Sequence, residues 1–174
     1  MEKEIINRVA NSGLITIDLS DYAPKKPIEN LDIKKFLFQG LILKEKEFRL
    51  TLKKNDFSIY KNKTVALNCS SNSVLPMWAF MLITSYLNAV NADVHFGTQE
   101  EVFQQIFKKN INAIDTDNFK NKKVIIKGCG SVKLTANLYV AITKKLQNIV
   151  SSLMFGEACS AVPVFKKISR KNKR

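Results

Sequence analysis

The chain has 174 residues, 45% apolar and 25% charged, with 28 basic against 15 acidic side chains for a formal charge of +13. That size and balance fit a globular domain with a short extension and exclude a disordered, collagenous or disulfide-stapled chain. No apolar run reaches the length of a spanning helix, and the mixed charges of Met1-Glu-Lys-Glu4 do not make a secretory leader, so a cytoplasmic protein without a membrane partner is expected.

In chain order, Leu14 to Leu19 has β-branched alternation and predicts a short strand. Asp21 to Pro27 is a loop, because its two prolines fix φ and remove donors. From Asp32 the apolar spacing Ile33, Phe36, Leu37, Leu41 predicts a helix, extending toward Phe48 and Leu52 and divided at Gly40. Residues 1–63 are therefore read as an extension packed on a core of residues 64–165, followed by a basic tail, 166–174.

The core alternates strand and helix. Thr64 to Cys69 is a buried-type strand, and a helix over about 75–90 is apolar almost all round, which predicts a deep position. Asp93 to Phe96 is a second strand, and Thr98-Gln-Glu-Glu101 matches a capping box ahead of a helix carrying Val102, Phe103, Ile106, Phe107 and Ile111. Lys122 to Gly128 is the third strand, Leu134 to Ile149 the third helix of the core and Ser152 to Phe155 the fourth strand. No internal repeat is visible. Such alternation predicts an α/β fold, a small doubly wound parallel sheet of order 2-1-3-4 covered on both faces, with the amino-terminal α/β extension beside it.

In that order the core strands beginning at Thr64, Lys122 and Ser152 are neighbours, which brings Cys69, Cys129 and Cys159 to one carboxyl edge, where open α/β sheets bind ligands. Three thiolates at one point suit zinc with a fourth ligand or an iron–sulfur cluster, and His95 and Glu157 are the candidates to complete the set. Ser70 and Ser131 beside the thiols, and Lys127 two residues before Cys129, would support thiolate charge. Two other readings stand beside this one. The thiols are inert buried hydrophobes of a structural protein, or one is a nucleophile using Lys127, Glu157 or His95 as base. The cationic surplus admits nucleic acid as a partner. However, 24 of the 28 basic residues are Lys and only Arg8, Arg49, Arg170 and Arg174 offer the fork that reads phosphate bidentately. The oligomeric state is open.

The segments Ile6–Leu14, Leu43–Phe48, Val65–Cys69, Val124–Cys129 and Gly156–Pro163 carry a resemblance over nearly the whole chain. They resemble a bacterial family of uncharacterised proteins, the domain of unknown function numbered 2480. The resemblance implies an association with iron–sulfur assembly proteins of the sulfur-mobilisation type, and so an accessory role for the thiols, with no activity attached.

Overall fold

The computed structural model describes residues 13–128 and 132–168. The strands are β1 (Leu14–Asp18), β2 (Ile28–Asp32), β3 (Thr64–Asn68), β4 (Asp93–Phe96), β5 (Lys123–Lys127), β6 (Ser152–Phe155) and β7 (Val162–Lys166). The helices are α1 (Glu45–Lys54), α2 (Met77–Asn88), α3 (Gln99–Asn112) and α4 (Ala136–Leu146). The α/β class with parallel pairing is as expected.

The strand order differs from the expectation. Two sheets form, β2-β3-β4 and β1-β5-β6-β7, so the strands at 64–68 and 123–127 are not neighbours and no single 2-1-3-4 sheet exists. The physical reason lies in the amino-terminal strands. β1 pairs in parallel with β5 from Leu14↔Lys123 to Asp18↔Lys127, and β2 pairs with β3 from Ile28↔Thr64 to Asp32↔Asn68. Each thus fills the edge that the expected order would have used to join β3 to β5. Compactness follows the sheets. Pro24–Gln105 form a middle unit, and the described residues up to Ala23 and from Ile106 onward form a split unit, the division falling inside α3.

Within the middle unit, α1 has Glu45 and Glu47 in its first turn and Lys53 and Lys54 in its last, each sign opposing the helix dipole. Its inner positions, Phe48 and Leu52, are buried with Leu31, Ile33, Val65, Ala79, Ile83 and Leu87 in one core. Such a side chain contributes roughly 1.5–3 kcal/mol on burial. The helix predicted from Asp32 is instead a 3-10 turn, Ile33–Phe36. Gln39 (φ 50) and Gly40 (φ 70) then turn the chain back so that Phe38 and Ile42 form a bridge, and the apolar spacing reports core contact without a helix.

The units are built on one plan. Lys123 stands 59 residues after Thr64 and Ser152 stands 59 after Asp93, so β5 pairs with β6 in the same parallel register as β3 with β4. The intervening helices keep the offset, starting at Met77 and Ala136. Asn62 (φ 58) and Asn121 (φ 57) make equivalent left-handed turns before the central strands. The Asn62 N–H donates to Val90 O (3.3 Å) and the Asn121 N–H to Ile149 O (2.9 Å). The Gly97 N–H donates to Leu67 O and the Gly156 N–H to Ile126 O, both at 3.0 Å. The pairs Phe48/Phe107, Leu52/Ile111, Val65/Val124, Ile83/Ile142 and Leu87/Leu146 are buried in their respective units. The edge strands match as well. Asp18, the last residue of β1, accepts from the Ser20 N–H and Asp32, the last of β2, from the Lys34 N–H, each at 2.9 Å, and each caps a 3-10 turn. The chain therefore contains a duplicated βαβ unit with an added parallel edge strand, a repeat that is not visible in the sequence itself. Identities between the copies are sparse, with Lys61-Asn-Lys63 against Lys120-Asn-Lys122 and Phe96-Gly97 against Phe155-Gly156 among them. The shared plan shows in register and burial.

Candidate functional site

The residues expected to form a thiol site are divided between the units. In the middle unit Cys69 follows β3, is half-buried, and lies 3.1 Å from Ser71 Oγ. Ser71 Oγ donates to Ser73 Oγ (2.7 Å), which donates to Leu41 O (2.5 Å), so hydroxyls tie this loop to the turn after the 3-10 segment. The Ser70 N–H donates to Asp32 Oδ1 at 3.1 Å. Burial pushes the Asp32 carboxyl up, but hydrogen bonds from the Ser70 hydroxyl, the Lys34 N–H and the Ser70 N–H, with the Lys34 charge, outweigh it and hold the group below the usual carboxylate range. His95 lies on β4 with Nε2 3.1 Å from Asp93 Oδ2, a contact without the alignment of a hydrogen bond.

In the split unit Cys159 is exposed in the β6–β7 loop, and Lys127 pairs with Glu157 (3.2 Å). Cys129 and Ser131 lie outside the described residues, as does the basic tail from 169 onward. Among the described residues, no group of three or more His, Cys, Asp and Glu side chains is arranged to hold a metal ion. The edge that was to gather the thiols depended on β3 lying beside β5, which it does not. Cys69 and Cys129 are not even equivalent in the duplication. The residue matching Cys69 is Gly128, directly after β5.

That substitution between copies has a packing partner. A Cβ at Gly128 would collide with Tyr139 Oη and lie 2.7 Å from Leu134 Cδ1. The residue matching Tyr139 on α2 is Phe80, which has no hydroxyl, and there the middle unit carries Cys69. At these two positions the split unit has Gly and Tyr, and the middle unit has Cys and Phe.

A second feature occurs in both units and was not expected. Phe80 of α2 meets Phe96 of β4 edge-to-face, ring centroids 5.6 Å apart at 80°, and Tyr139 of α4 meets Phe155 of β6 with the same separation and angle. One helical position on, Met81 is 72% exposed and Val140 57%, while Phe96 and Phe155 are 67% and 43% exposed. Each unit therefore presents a helix-and-strand patch of apolar side chains at matching positions. The expectation that α2 lies deep in the core is corrected here. Only Ala79, Ile83 and Leu87 are buried, and Met77 and Met81 face outward. The signal was the all-round apolarity itself, which a single buried face does not require.

In the split unit this patch is the floor of a groove of about 500 Å³, lined by Tyr139, Val140, Met154 and Phe155, with Val164 of β7 on its side. β7 runs antiparallel to β6, from Ser152↔Lys166 to Phe155↔Val162, with an irregularity between Leu153 and Met154. The middle unit has no such strand among the described residues, and β4 ends its sheet.

A family model described as "Protein of unknown function (DUF2480)" matches residues 3–167. The chain belongs to that family. No curated protein and no solved structure matches it. The DUF2480 description attaches no chemistry to the thiols, and among the described residues no helix is long and apolar enough to cross a membrane.

Proposed function

We propose that this DUF2480 chain is a protein-binding module whose two copies of the βαβ unit each present an apolar docking patch. The supporting observation is the pair of matched patches, Phe80, Met81 and Phe96 in one unit and Tyr139, Val140 and Phe155 in the other. Exposed apolar clusters on a folded surface favour partner contact, and aromatic and Met side chains are enriched where partners bind. Duplication strengthens the reading, since scattered exposed hydrophobics are ordinary but need not recur at equivalent positions. A zinc or iron–sulfur site on the three thiols, and with it a role among iron–sulfur assembly proteins, draws no comparable support, because its premise was the adjacency of β3 and β5.

Panning a random-peptide display library on the full chain tests the proposal. Apolar peptides are expected to be enriched, and their affinity should fall at least tenfold on Met81→Lys or Val140→Lys chains that keep the wild-type circular dichroism. Failure to enrich, or peptides indifferent to both changes, contradicts it.

A further inference from the structure

The duplicated plan shows what one of its copies lacks. In the split unit the outer edge of β6 is paired with β7, and β7 ends the sheet with Pro163 and Lys166, residues that discourage further pairing. The matching strand of the middle unit, β4, has no outer neighbour among the described residues and carries neither proline nor lysine. Burial agrees. Leu153 of β6 is buried, whereas its counterpart Val94 is only partly so.

The backbone of β4 is turned for pairing. The Asp93 N–H donates to Lys63 O (2.9 Å) and the Gly97 N–H to Leu67 O (3.0 Å), both toward the β3 side. Strand alternation therefore directs the main-chain groups of Val94 and Phe96 to the open side. Gln105 Nε2 already donates to Phe96 O (3.1 Å), which leaves Val94 at the centre of the open edge.

We infer that β4 is a strand-addition site for an extended segment of a partner polypeptide, running antiparallel to β4 as β7 runs to β6. This rests on the reading of the chain as a protein-binding module and names the kind of partner its middle unit takes. The split unit supplies the register. Ser152 faces Lys166 and Leu153 faces Phe165; carried to the middle unit, the incoming strand sets a basic residue opposite Asp93 and an aromatic opposite Val94. Asp93, an exposed carboxylate where β6 has serine, complements that basic residue. Beside the edge, Phe80, Met81 and Phe96 take the place of the groove that Val164 borders in the other unit. The backbone ladder provides affinity, and the Asp93 contact with the apolar patch selects the sequence.

A synthetic peptide with the sequence of residues 160–168, added to the full chain, is the probe, read by fluorescence anisotropy. It should bind wild-type protein about two- to fivefold more tightly than the same peptide carrying Lys166→Glu, the size expected of one cross-strand charge pair. On Asp93→Lys protein the preference should reverse. Asp93 is exposed, so the variant should fold, and circular dichroism checks that it does. Binding with no dependence on the charge at position 93 would place the peptide elsewhere, for instance in exchange with β7 on β6, and overturn the inference. Absence of binding, or a discrete dimer whose contact occupies β4, overturns it equally. Library peptides that still depend on Met81 would then leave the docking patch standing without strand addition.

Discussion

The middle and split units share register, caps and core, yet they finish their sheets differently and fill the loop after the central strand differently. The middle unit is continuous in sequence, has Cys69 directly after β3 and Phe80 on α2, and gives β4 no outer strand among the described residues. The split unit takes its edge strand from the start of the chain, has Gly128 with Tyr139 after β5, and closes β6 with β7. What is common specifies folding, and what differs, the outer edge and the loop after the central strand, lies outside that shared plan. Pairwise experiments on equivalent positions separate the two.

The largest effects should come from the shared core. Phe48→Ala and Phe107→Ala each remove a fully buried ring from equivalent helices, and each should cost about 3–5 kcal/mol in urea unfolding. Comparable losses support equivalent packing. A negligible loss at either position breaks the comparison.

The loop exchange is next. Gly128→Ala should destabilise by about 1–3 kcal/mol, because its Cβ must displace the Tyr139 hydroxyl and Leu134. Adding Tyr139→Phe, which copies the middle unit, should recover part of that loss. A double-mutant cycle with no coupling would show that the Gly–Tyr and Cys–Phe pairings are unrelated.

The capping aspartates give a smaller difference. Asp32→Ala should cost about 1–2 kcal/mol and Asp18→Ala about 1 kcal/mol, because Asp32 accepts from both Lys34 and Ser70. The folded-state pKa of Asp32 is depressed, so its contribution is fully present above the unfolded value of about 3.9 and is lost as pH falls through the lower folded value. The stability gap between wild type and Asp32→Ala should therefore close on acidification below pH ~4, as read by urea unfolding at a series of pH values. A gap that widens there would contradict the hydrogen-bond account. Smallest of all, Glu157→Gln should change stability by less than about 1 kcal/mol, since Glu157 is exposed, its partner Lys127 is half-buried, and the pair has no counterpart at Asn68 and Thr98.

Much of each unit was legible from local pattern. β-branched alternation marked β1, continuous apolar runs marked β3 and β5, and the capping box is present as read, with the Thr98 N–H donating to Glu101 Oε2 (2.8 Å) and the Glu101 N–H to Thr98 Oγ1 (3.3 Å). β2 was missed because Ile28-Glu-Asn-Leu-Asp32 is half polar and follows Pro27; its place comes from β3. β7 was missed because Pro163 breaks the strand pattern, a device that an edge strand tolerates. Sheet membership was not legible at all. The two parallel pairs look alike locally, and long-range pairing by β1 and β2 decides which sheet each joins. The premise of the candidate site depended on it. The thiol cluster rests on an inferred neighbour relation, whereas the apolar patches lie on helices, α2 and α4, whose apolar residues local pattern assigns to the core.

Cross-strand nuclear Overhauser contacts in isotope-labelled full-length protein test the two-sheet arrangement most directly. The account predicts backbone contacts joining residues 14–18 to 123–127 and residues 28–32 to 64–68. Contacts joining 64–68 directly to 123–127 would contradict it and restore the single sheet on which the thiol site was premised.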